Sequence, residues 1–231
     1  MVKNHLKRIA APRTWPIARK AHTFVRKPRP GMHSLEEGLS LETWLKEVLG
    51  KVRTRREARY ALRQGFVKVN QRVVKDPAFS TGFLDIITLT PTDEHYLIIL
   101  TPQRKLSARK IRPTMEKLSQ IVRKGIVRGG RVQYTTREGY TFLSEKSDYA
   151  VGDAVIITLG KPLTIKQAIP LKEGSRVFVT RGENTGLTGR VKAFDGEEVI
   201  LDTLGGNVRV KRRNILAYEG YPPLEEALNG E

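Results

Sequence analysis

Four arginines stand at helical spacing between Thr54 and Gly65: Arg55, Arg56, Arg59 and Arg63. At helical pitch they fall within roughly 100° of one another, while Ala58, Ala61 and Leu62 take the opposite side. A guanidinium is permanently charged and meets a phosphate through a two-pronged fork, so such a row suits a phosphate backbone. A solvated face is the plain alternative, but Glu57 alone is near enough in sequence to balance it. Other chemistry drops out early. The chain has no cysteine, which removes disulfides, thiolate zinc sites, iron–sulfur clusters and cysteine nucleophiles. His5, His22 and His33 lie in a densely positive segment and match no zinc spacing, and His95 stands alone. No metal, cofactor or small-molecule substrate is expected.

The charge around that row has a pattern. Lys and Arg total 42 of 231 residues against 24 acids, a formal net charge of +18. Nucleic acid is the usual partner of so basic a chain, because each neutralised phosphate releases counterions. A membrane surface would need an amphipathic apolar face or a lipid anchor, and neither is found. No apolar run approaches the roughly 20 residues of a membrane span. Half the excess charge lies in residues 1–33, which hold nine Lys/Arg and no acid. Four prolines interrupt that piece, so it reads as an arm (1–36) that orders along nucleic acid, with a disordered solvated tail as the alternative. Lys3, His5, Lys7, Arg8, Arg13, Arg19 and Lys20 would meet RNA. Trp15 and Phe24 would stack on bases or plug a protein surface, with Trp15 the stronger RNA candidate.

The elements that must position these residues follow. Leu39, Leu41, Trp44, Leu45, Val48 and Leu49 recur at helical spacing, with Ser40 as N-cap and Gly50 as stop. The arginine helix follows Thr54 and ends near Gly65. Phe66–Val69 alternates, Asn70-Gln71 turns, Val73-Val74 returns, and Leu84–Leu89 adds a strand, which closes a unit at 37–90. Residues 91–170 read as a β-rich middle unit with a basic stretch at Ser107–Lys124. Residues 171–217 carry short alternating strands with glycine turns, the spacing of a small SH3-like barrel. Lys211, Arg212 and Arg213 form a late basic cluster there. Residues 218–231 form an acidic tail. The fold class is α+β and multi-domain: a basic arm, a helix-helix-sheet unit, a β-rich centre and a barrel.

The stretch TRREARYALRQGFVKVNQRVVKDP (54–77) resembles the S-four-type RNA-binding domain. EGSRVFVTRGENTGLTGRVKAF (173–194) resembles a KOW motif, with Gly189 as its glycine. That resemblance implies that the loop Arg181–Leu187 reaches a partner through backbone N–H groups and side chains such as Arg181 and Asn184. A bare hairpin loop is the alternative. Position 181 is Arg where such motifs often carry a second Gly. The order of units, with HLKRIAAPRTWPI (5–17), KPRPGMH (27–33) and GFLDIITL (82–89), resembles the small-subunit ribosomal protein S-four-e family over nearly the whole chain. The long basic C-terminal extension of eukaryotic members is absent, which points to the archaeal type.

The resemblance implies a structural constituent of the small ribosomal subunit in the cytoplasm. Its partners would be small-subunit rRNA and neighbouring ribosomal proteins, with no turnover. Linked weak sites on separate units would add their affinities. Two other functions compete. One is a dissociable regulatory or elongation factor using the KOW unit. The other is an RNA-modifying enzyme, since GFLDIIT (82–88) is similar to the catalytic run of pseudouridine synthases, with Asp85 in the catalytic place. Phe83 stands where that run has Arg, and no catalytic domain follows it. The ribosomal resemblance makes Asp85 structural.

Overall fold

The structure is a computed structural model that describes residues 5–145, 148–160 and 163–229. The chain divides into two compact units, 1–113 and 114–229.

The first unit opens on a ribbon. Strand β1 (His5–Lys7) pairs antiparallel with β2 (Phe24–Arg26). The arm between them is tied down. Trp15 is 2% exposed and its Nε1 donates to the Leu35 carbonyl at 3.1 Å. Arg8 is buried, and both its terminal nitrogens reach the Glu47 carboxylate. An arginine taken out of water needs such a carboxylate beside it. The expectation of an arm that orders only along nucleic acid is therefore corrected: long-range contacts fold it.

Strand β3 (Gly38–Ser40) leads into helix α1, which is α-helical at Leu41–Thr43 and π-helical at Trp44–Val48. The wide turn shows in the Leu49 N–H, which donates to the Trp44 carbonyl at 2.9 Å. Leu39 sits on β3, and Ser40 stands at the N-cap position with the helix starting at Leu41, as the spacing predicts. Helix α2 (Arg55–Arg63) begins with a reciprocal cap. Thr54 Oγ1 accepts from the Glu57 N–H at 3.2 Å, and Glu57 Oε2 accepts from the Arg53 N–H at 2.9 Å. That second bond leads the effects that lower the Glu57 pKa.

Strands β4 (Val67–Val69) and β5 (Arg72–Val73) form a hairpin over Asn70 and Gln71, both at positive φ. Strand β6 (Ser80–Gly82) pairs with β3. Strands β7 (Ile86–Leu89), β8 (Glu94–Leu100) and β9 (Leu106–Ile111) complete an antiparallel sheet of order β5-β4-β7-β8-β9. The boundary expected after residue 90 is thus moved. β8 pairs with β7 and β9 with β8, so both belong to the first unit's sheet.

The second unit holds two five-stranded antiparallel sheets. Strands β10 (Glu116–Ile126), β11 (Val132–Thr136), β12 (Thr141–Ser144), β13 (Ala154–Thr158) and β14 (Thr164–Ile169) make the first, in the order β12-β11-β10-β13-β14. Ile121, Val132, Tyr134, Tyr140, Val155 and Ile157 form its core. Strands β15 (Arg176–Val179), β16 (Thr188–Asp195), β17 (Glu198–Thr203), β18 (Gly206–Lys211) and β19 (Ile215–Ala217) make the second, in the order β18-β17-β16-β15-β19. A Cβ on Gly189 would lie 2.7 Å from the Asp202 carbonyl oxygen, so β16 approaches β17 too closely for a side chain there. The acidic segment 218–231 includes helix α3 (Pro222–Asn229). Tyr221, Leu224 and Ala227 are buried at spacings of three, which turns one face of that segment inward. Helices are few, and the architecture is mainly β.

Candidate nucleic-acid interface

Helix α2 turns Ala58 and Leu62 inward and leaves Arg55, Arg56, Arg59 and Arg63 exposed. The row expected from spacing is therefore a surface row. Its members differ in their surroundings. Arg56 and Arg63 have no ion-pair partner among the described residues. Arg55 and Arg59 point their Nε atoms at the buried Glu42, at 3.4 and 3.5 Å. Arg26, on β2, joins them through a 3.2 Å bond to the same carboxylate. Spacing within α2 reveals the row but not Glu42, which lies on another helix.

The other expected contacts scatter. Lys3 lies outside the described residues. His5 contributes backbone to β1, where it pairs with Arg26. Lys7, Arg13 and Lys20 are exposed. Arg19 is half-buried and donates to the Ile9 and Pro12 carbonyls at 2.9 and 3.0 Å, so it braces the arm. Arg8 and Trp15 are corrected: their side chains sit inside the unit, out of reach of a base or phosphate.

In the second unit Arg181 is exposed and Asn184 is half-buried. Amide groups of the 181–187 loop face inward. Thr185 N–H donates to Gly182, Gly186 N–H to Val179 and Leu187 N–H to Asn184. The loop thus presents side chains, and the expectation of free backbone N–H groups at these positions is corrected. Lys211, Arg212 and Arg213 are exposed, and the Arg212 guanidinium stacks 5.6 Å from the Phe194 ring centroid.

One further cationic surface lies in the middle unit, where the sequence shows a basic stretch but names no contact residues. The far half of β10 and the turn into β11 form an exposed ribbon carrying Arg123, Lys124, Arg128 and Arg131. Lys124 lies over the Tyr134 ring and donates to the Tyr149 carbonyl at 2.9 Å. Ile126 on the same ribbon is 80% exposed. Gly129 and Gly130 turn the chain at positive φ, where other residues would strain. The signal that could have found it is the lack of any acid from Lys117 to Arg137.

Asp85 lies elsewhere. It is fully buried, and its Oδ1 accepts from Asn70 Nδ2 at 2.8 Å. Its Oδ2 accepts from the Gly82 N–H at 3.0 Å and sits 2.7 Å from His33 Nε2. Both oxygens are committed to holding the turn before β7, and the side chain is fully buried.

Comparison with known proteins places this chain in a family. Three family models match along the chain. They are the RS4NT (NUC023) domain over residues 2–36, the S4 domain over 41–80 and the Ribosomal family S4e over 92–162. Small ribosomal subunit protein eS4 of Nanoarchaeum equitans is 37% identical over 194 residues, covering 83% of this chain and 82% of that protein. The chain belongs to the eS4 family. The eS4 protein of Ignicoccus hospitalis is 34% identical over 224 residues, covering 92% of this chain and 86% of that one. The crystal structure of 30S ribosomal protein S4e from Thermoplasma acidophilum superposes with a TM-score of 0.67 over 78% of this chain and 94% of that chain. At 24% identity that likeness shows a shared fold alone. The S4 domain match spans α1, α2 and the β4–β5 hairpin, so the arginine row stands inside it.

Proposed function

We propose that this eS4 protein is a structural constituent of the small ribosomal subunit, holding small-subunit rRNA through several separate basic surfaces. The observation that carries the reading is the 37% identity to an eS4 protein across most of both chains. The surfaces are the α2 row (Arg55, Arg56, Arg59, Arg63), the exposed arm cations Lys7, Arg13 and Lys20, the β10–β11 ribbon, and Arg181 with Lys211, Arg212 and Arg213. The last five-stranded sheet acts as the KOW unit. Each surface meets a different stretch of phosphate backbone, so weak contacts combine into tight attachment. The exposed apolar side chains Ile9 and Leu204 suit neighbouring ribosomal proteins. No catalytic step or cofactor is part of this role, and it is carried out in the cytoplasm.

Sedimentation of a native lysate through sucrose in about 0.5 M salt tests the reading, because weak phosphate contacts are largely screened there. A chain-to-rRNA ratio near one in the small-subunit peak is expected. Recovery at the top of the gradient would mark a dissociable factor instead.

A further inference from the structure

Glu42 is 2% exposed, an unusual place for a carboxylate unless it is paired. Three guanidiniums surround it. Arg26 donates to Oε2 at 3.2 Å, Arg55 Nε lies 3.4 Å from Oε1, and Arg59 Nε lies 3.5 Å from Oε2. They arrive from two elements, β2 and α2. Arg55 also donates to the Phe24 carbonyl at 2.9 Å. Three positive charges on one negative leave a local excess of two. That excess faces outward, since the Arg55 and Arg59 side chains are 46% and 48% exposed. The terminal nitrogens of Arg59 have no partner among the described residues.

Such an arrangement does two things that a free row cannot. The carboxylate offsets repulsion among cations crowded together. It also fixes side chains that would otherwise lose rotamer freedom on binding, so a ligand meets donors already ordered. What fits an outward-facing pair of charge-assisted forks with a net excess of two is a singly charged oxyanion with several acceptor oxygens.

We infer that Glu42, Arg26, Arg55 and Arg59 form a preassembled site for one phosphodiester of the RNA backbone. Arg55 and Arg59 contact the phosphate, and Glu42 is their positioning residue. The site rests on the RNA-binding reading above and deepens it: an acidic side chain is needed for binding a polyanion.

The sign of one substitution decides the matter. Glu42→Gln raises the net charge by one, so simple attraction makes RNA binding equal or tighter. The preassembled site makes it weaker. With the full chain and archaeal small-subunit rRNA, E42Q is expected to bind about tenfold more weakly, the effect of removing roughly one charge-assisted hydrogen bond. Its plot of log affinity against log salt is expected to flatten by roughly 0.7–0.9 unit. Equal or tighter binding by an E42Q protein with the wild-type circular-dichroism spectrum and melting curve overturns the site. Should E42Q not fold, Arg59→Gln and Arg63→Gln settle it, since each removes one exposed cation from α2. The site requires R59Q to reduce affinity several-fold more than R63Q does, and equal reductions overturn it. Absence of binding by the wild-type chain would instead strike the RNA reading itself.

Discussion

His33 Nε2 lies 2.7 Å from Oδ2 of Asp85, joining the end of the arm to the turn that starts β7. The pair sits where the chain has no spare room. Gly38 and Gly82 face each other across β3 and β6. A Cβ on Gly82 would overlap the Glu37 carbonyl oxygen and lie 2.7 Å from His33 Cγ. The imidazole therefore packs on glycine and aims at a carboxylate that already holds the Gly82 N–H and Asn70. Asp85→Asn places an amide opposite those donors and leaves one buried donor unmet, a cost of about 1–3 kcal/mol. A lowered denaturation midpoint with unchanged rRNA pseudouridine content is expected. Loss of a pseudouridine with normal stability would revive the enzymatic reading.

Trp15 supplies a second test. Its indole is buried and hydrogen-bonded to Leu35 rather than offered to a base. Trp15→Ala should cost about 3–5 kcal/mol, as for other large aromatics removed from a core. Limited proteolysis should then cut within residues 1–36. A variant that melts like wild type yet binds RNA poorly would restore Trp15 as a stacking residue.

The β10–β11 ribbon makes a third. Arg123, Arg128 and Arg131 are exposed and form no ion pair among the described residues. Replacing all three by Ala should leave the melting curve unchanged. The salt dependence of rRNA affinity should flatten by roughly 0.7–0.9 unit for each phosphate that the ribbon no longer neutralises. An unaltered slope would make the ribbon a solvated projection.

Acid stability offers a fourth. Lys51 lies 2.6 Å from Glu94, and this ion pair leads the effects that hold the Glu94 carboxyl at about 2, against an ordinary 4.5. An acid whose folded pKa lies below its unfolded value adds stability above the unfolded value. It loses that stability as pH falls through the folded one. The first unit should therefore weaken as pH drops from about 4.5 to about 2. Glu94→Gln should be less stable at neutral pH and show a shallower decline. Parallel curves for the two proteins would exclude this role for Glu94.

What is legible in the sequence is local. Thr54, the arginine spacing and Gly65 mark α2 to within two residues, because caps and periodicity act over one helical turn. The Asn70-Gln71 turn is legible too, since its hairpin is contiguous. What stays hidden depends on partners far along the chain. Arg8 finds Glu47 across 39 positions, and nothing in the arm's composition announces that a cation there is internal. The run of short strands ending at Leu89 suggests a boundary at residue 90 that would put β8 and β9 in the middle unit. Strand pairing, which sequence alone does not display, joins them to β7. Glu42 and Arg26 carry no signal of their own in the sequence, because their meeting is tertiary.

The bonds that close the second unit have a consequence in time. Tyr221 Oη donates to the Glu116 carbonyl at 3.0 Å across 105 positions, and Gln120 Nε2 to the Ile215 carbonyl at 2.7 Å across 95. The first unit needs nothing beyond residue 113 to complete its sheet. During synthesis it can finish folding while the second unit still waits for its last strand and helix, because such distant contacts form only when both ends exist. On the RNA-binding reading proposed above, the growing chain would present its arginine helix as a mature surface before the second unit has closed.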